Sequence, residues 1–159
     1  MNAEPGKSGR GSADIGSDIF GRERFDAYIR RFNARDATAF DDYLARDAVI
    51  LNGTLELRGV QGMRRHYEEA IWPFFEETIH INRFISDSRT LAVNMWTHFV
   101  ATVSGASLFG QVREGDAFDF RGLVMYEIEN ARFFKIIVAY NSFIRTDATG
   151  TMTELGLPH

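Results

Sequence analysis

Apolar residues recur along this chain with two different periods. From Glu23 to Ala34, Phe25, Tyr28, Ile29 and Phe32 fall three or four apart, which places them on one stripe of a helix. Asp36 caps a second short helix that runs to Leu44 and turns Phe40, Tyr43 and Leu44 inward. Asp47–Leu51 and Leu55–Arg58 flank Asn52-Gly53, a pair that favours the tight turn of a hairpin. Gly59 opens a third helix, Val60–Ala70, which Trp72-Pro73 ends. Beyond it the period falls to two. Thr78–Ser86, Thr90–Val103, Phe118–Ile128 and Arg132–Arg145 are long and rich in β-branched and aromatic residues, as strands are. Glu129-Asn130-Ala131 joins the last two as a hairpin, while Ser104–Ala117 is polar, carries glycine and reads as a loop.

These elements predict an α+β fold in which three N-terminal helices close a strongly curved mixed or antiparallel sheet into a cone with an internal pocket. So few helices cannot cover both faces of such a sheet, so a homodimer or homotrimer through the outer sheet face is expected. The predicted domain spans 21–147. Residues 1–20, rich in Gly and Ser, read as a flexible arm, and 148–159 as a tail that Leu155 and Leu157 anchor.

Composition narrows the function. A net charge of −4 gives no electrostatic footprint for nucleic acid. The absence of Cys excludes disulfides, thiol nucleophiles and thiolate-bound metals. No apolar run is long enough for a membrane helix, and the first residues lack the apolar centre of a signal peptide, so the expected location is cytoplasmic, away from membranes. The tail glycines follow no strand and open no helix, so no nucleotide cofactor is implied. His66, His80, His98 and His159 show no ligand spacing with carboxylates, so no metal is expected. The 14 Phe predict a core or pocket lined with rings, suited to a small hydrophobic molecule.

Alternation gives each long strand two unlike faces. In Thr90–Val103 the odd positions, Leu91, Val93, Met95, Thr97, Phe99, Ala101 and Val103, are smoothly apolar, while the even ones include Asn94, Trp96 and His98. Thr78–Ser86 repeats this, with Ile79, Ile81 and Ile85 opposite His80, Asn82 and Phe84. Period alone leaves open which face is inside. If the mixed faces line the cone, His80 and His98 point into one pocket.

The run YIRRFNARDATAFDDYLARDAVI, followed by the hairpin and by GVQGMRRHYEEAI, resembles the nuclear transport factor 2-like superfamily and its SnoaL-like members over about residues 22–145. The segment IWPFFEETIHI, residues 71–81, resembles the corresponding strand of hexachlorocyclohexane dehydrochlorinase, near scytalone dehydratase and bile-acid dehydratase. That resemblance implies a cofactor-independent lyase acting on a small hydrophobic cyclic or aromatic compound, with His80 as the base. It places Phe75, Thr78, Trp96 and His98 in the pocket wall, with Tyr28 or His98 holding an oxygen or leaving group; Phe32 and Trp72 are further candidate substrate contacts. Asn33 stands where those enzymes carry the acid that partners the His; an Asn orients an imidazole but cannot stabilise its cation with a full charge. Against ketosteroid isomerase, the oxyanion-holding Tyr falls on Tyr28, the general base on Asn52 and the acidic donor near Val124, so two of that enzyme's groups are missing. Of Tyr140 and Asn141 on the last strand, alternation sends only one inward. The Asn at positions 33 and 52 favours the alternative reading, a ligand-binding or assembly protein of the same fold without catalysis.

Overall fold

The computed structural model describes residues 20–156 of the chain; residues 1–19 of the predicted arm (1–20) and residues 157–159 of the predicted tail, Leu157 among them, lie outside the described residues. Helix α1 spans Arg22–Asn33 and buries the predicted stripe Phe25, Tyr28, Ile29 and Phe32. Helix α2 spans Thr38–Tyr43. Asp36 lies two residues ahead of it, and its carboxylate accepts the Thr38 N–H at 3.0 Å. Strands β1 (Leu44–Asn52) and β2 (Leu55–Arg58) form the predicted hairpin, with Gly53 at φ 58 in its two-residue turn. Helix α3 (Gly59–Arg65) then widens into a π-helical turn, His66–Ile71, in which the Trp72 N–H reaches back five residues to Tyr67 O at 2.8 Å.

Four long strands follow: β3 (Phe75–Ser86), β4 (Thr90–Ala101), β7 (Ala117–Glu129) and β8 (Arg132–Thr146). The predicted loop between β4 and β7 folds into a small hairpin, β5 (Gly105–Ser107) with β6 (Gly110–Val112). A short last strand, β9 (Met152–Glu154), pairs with β8. The curved, open sheet runs β2-β1-β8-β7-β4-β3, with β9 also on β8; among the described residues only β1 and β8 are parallel. The architecture is therefore α+β, three helices against a mixed seven-stranded sheet.

The smooth faces of β4 and β7 look inward, as does that of β3 as far as Ile81; the bulge between Ile81 and Arg83 then reverses the parity, so Phe84 packs on Phe25 at 5.6 Å while Ile85 turns outward. Leu91, Val93, Met95, Thr97, Phe99 and Ala101 on β4 are buried, as are Phe118, Phe120, Val124, Tyr126 and Ile128 on β7. Ile85, Leu123 and Met125 remain exposed. The chain at Phe20 docks on the body, its ring 4.5 Å from that of Phe133. A second ring cluster, at the β5–β6 end, holds Phe75, Phe99, Phe109, Phe118 and Phe120, with Phe143 stacked 3.9 Å from Phe120. Between β7 and β8 the register slips by one residue at Gly122. A Cβ there would lie 2.2 Å from Ala139 O, so only glycine admits this approach of β8.

Candidate functional site

Between the helices and the inward sheet face lies a hollow in two parts. An inner space of about 80 Å³ is lined by Tyr28, Phe32, Met95, Thr97, Val124 and Tyr126, among others. It meets an outer chamber of about 530 Å³ walled by Phe99, Phe109, Phe120 and Phe143, with Leu108 and Leu155 at its edge. Asn52, Leu55, His66, Tyr67, Glu77 and Tyr140 line both. Wider depressions of about 620, 750 and 800 Å³ lie among loops and strand ends. The first of these holds buried Asp116, but that carboxylate is already paired with Arg145 at 2.5 Å.

Glu77 is the unusual member of the hollow. It sits on the inward face of β3 between Phe75 and Ile79, is 7% exposed, and its Oε2 has no hydrogen-bond partner among the described residues. Burial pushes its carboxyl up to about 8, only partly opposed by the charge of Arg35. It therefore holds its proton at neutral pH. The phenols of Tyr28, Tyr67 and Tyr140 are pushed up by burial and then by Glu77 itself; they remain neutral donors. His66 is half-buried and desolvation lowers its pKa, so its imidazole is neutral near pH 7.

The end of α1 holds the strand that carries Glu77. The Asn33 side-chain amide donates to Ile79 O at 3.0 Å and accepts the Ile79 N–H at 2.8 Å, as a neighbouring strand would. Arg35, at φ 56, donates to Phe75 O at 2.6 Å. These contacts cover the open edge of β3 on either side of Glu77. Asn33→Ala leaves two backbone groups of Ile79 without that partner and is expected to cost about 1–3 kcal/mol, read as a lower urea midpoint.

The expected His80 pocket is corrected by this geometry. His80 is exposed on the outer sheet face, stacked on Trp96 at 4.6 Å. Thr78 shares that face and is also exposed. Trp96 donates to Asp119 at 2.6 Å, and His98 Nδ1 lies 2.7 Å from the same carboxylate oxygen. The mixed faces around His80, Trp96 and His98 look outward because turning the smooth faces inward there removes far more apolar area from water and leaves the charged partners solvated; past the β3 bulge, Phe84 is the residue that turns in. Asn33 clamps β3 and makes no contact with the His80 imidazole in its hydrogen bonds. Phe75 and Trp72 pack in the ring core rather than line the hollow, with Trp72 stacked 6.3 Å from Phe40. Asn141 is exposed at the β8 bulge, and Tyr140 is the one that faces in. Tyr28, Phe32, Asn52 and Val124 line the hollow.

Sequence reasoning missed Glu77, Thr97 and His66. The signal for Glu77 was available: extending the β3 alternation back to Phe75 leaves one carboxyl in the apolar series 75, 77, 79, 81. Thr97 is likewise the single polar member of its series on β4. The π-helical turn that brings adjacent His66 and Tyr67 to one hollow left no mark in the periodicity.

A profile of the SnoaL-like domain matches residues 25–136 of the chain. The protein belongs to the SnoaL-like domain family. No curated protein sequence matches this SnoaL-like chain. Among solved structures it resembles a SnoaL-like polyketide cyclase from Agrobacterium tumefaciens, at 14% identity over 74% of this chain and 87% of that one, TM-score 0.58. It also resembles an LEH-like epoxide hydrolase from M. tuberculosis, at 14% identity over 74% and 79%, TM-score 0.56. A computationally designed 17-OHP binder matches at 14% identity over 82% and 94%, TM-score 0.60. At these identities the likeness shows the shared fold; the chemistry of this SnoaL-like domain rests on its own residues.

Proposed function

We propose that this SnoaL-like protein is a cofactor-independent acid–base catalyst for a small, largely apolar molecule bearing a carbonyl or hydroxyl oxygen. The rings of the outer chamber take the apolar body, and Glu77, protonated, donates to the oxygen. The observation that carries this reading is a nine-tenths buried carboxyl facing a ring-lined hollow with one oxygen unpartnered among the described residues. Isolating such a group costs stability, and that cost is tolerated where the group has chemistry to do. A neutral carboxylic acid in an apolar site can hydrogen-bond a developing oxyanion or protonate a leaving group. The same fold serves proteins described as a polyketide cyclase and an epoxide hydrolase. The expected lyase reaction is one member of this class, with Glu77 and not His80 at the oxygen.

The test uses 2-acetonaphthone, a flat ketone with no titratable group of its own, in calorimetric titrations of the full chain. Binding is expected to weaken about tenfold as pH rises through about 8, because the ionised carboxylate can no longer donate. Glu77→Gln, which keeps a donor at every pH, removes that dependence, and His80→Ala preserves it. Binding that ignores both pH and Glu77→Leu would leave a ligand-binding protein without proton chemistry.

A further inference from the structure

A protonated carboxyl can give a proton but cannot be the group that first takes one, so acid–base turnover in this hollow needs an acceptor elsewhere. The phenols that line it are all held neutral and serve as donors. Among the described lining residues the remaining titratable side chain is His66. It reaches the hollow from the helix layer, through the π-helical turn, while Glu77 reaches it from the sheet. Both residues line the inner space and the outer chamber, so a molecule spanning the two parts meets both.

We propose that His66 is the proton acceptor of this site, working on the carbon skeleton of the substrate while Glu77 serves its oxygen. This rests on the acid–base reading above and goes beyond it by assigning the base and the division of labour. The neutral imidazole has the lone pair that the role requires, and its desolvation keeps it unprotonated near pH 7. The charged neighbours on its own element are Arg64, Arg65, Glu68 and Glu69; Arg64 is engaged with Asp41 from α2, and Arg65, Glu68 and Glu69 are solvated. From the elements across the hollow, Tyr28, Tyr126 and Tyr140 and the Glu77 carboxyl face it, all neutral at pH 7.

The probe is 5-nitrobenzisoxazole, a flat aromatic whose opening needs only a base and is helped by an acid. His66 takes the C3 proton, that bond's electron pair forms the nitrile, the N–O bond breaks, and the leaving phenolate oxygen accepts a hydrogen bond from the protonated Glu77 carboxyl, which stabilises the developing charge without giving up its proton. The product departs as the phenolate anion, and His66 then releases its proton to solvent. Wild-type kcat/KM is expected to rise through a pKa below 6.5 and to fall again near 8, a bell whose limbs belong to His66 and Glu77. His66→Asn, with His66→Gln beside it to guard against a folding defect in either, lowers kcat about 100-fold, moves KM less than about threefold, and abolishes the acidic limb. Glu77→Gln abolishes only the basic limb. An acidic limb and rate unchanged in both His66 variants would overturn the assignment while leaving Glu77 in place. A wild-type protein that does not open the probe would overturn it as well. Loss of the basic limb's dependence on Glu77 would instead count against the acid–base reading beneath it.

Discussion

Glu77→Gln is expected to raise the melting temperature at pH 8 by about 10 °C while changing it little at pH 4. The carboxyl titrates near 4.5 in the open chain and at about 8 in the fold. The folded state therefore binds the extra proton, and stability is lost as pH rises from about 4.5 to about 8. Above that window the cost is on the order of 3–5 kcal/mol. Glutamine, uncharged throughout, carries no such cost, so the variant and the wild type converge at low pH and diverge at high pH. Thermal melts at pH 4, 6 and 8 check this. A gain that is the same at all three values would mean that Glu77 is not desolvated. The expected variant is more stable and less able to weaken its grip on a ketone with pH, which is the signature of a group kept for chemistry rather than for the fold.

Phe75→Ala is expected to cost about 3–5 kcal/mol, the opposite direction and of similar size. The ring is fully buried one layer behind the outer chamber, with Phe109 at 4.9 Å and Phe99 and Phe118 each at 5.8 Å. Its removal leaves a void that neighbouring strands cannot close, since Phe75 sits beside the Arg35 clamp on β3. A urea midpoint that falls with an unchanged slope would report lost stability in an intact two-state fold. Phe99 and Phe109 rest on Phe75 and also wall the chamber, so binding of 2-acetonaphthone weakens in the same variant. Destabilisation below about 1 kcal/mol would contradict the packing described.

The two groups differ in how legible they were. Phe75 stood out as an aromatic before a strand, although its place is core rather than pocket wall. Glu77 is hidden in the sequence because the predicted strand begins at Thr78, one residue too late to include it, whereas β3 begins at Phe75. His80 drew attention through its neighbours Glu77-Thr78-Ile79, which resemble a catalytic strand, yet β3 turns the other parity inward. Asn33, read as an orienter of an imidazole, serves the backbone of Ile79 instead.

The amino-acid sequence by itself determined the helices, the hairpin at Gly53 and the long alternating strands, because periodicity and turn chemistry act over a few residues and survive any arrangement of the whole; the SnoaL-like family came from the resemblance of its motifs. Only the tertiary structure decided which strand face looks inward, that Glu77 and His66 share one hollow, and that His80 does not. A period of two defines a pair of faces without saying which will be covered, and that choice falls to the helices that pack on one of them.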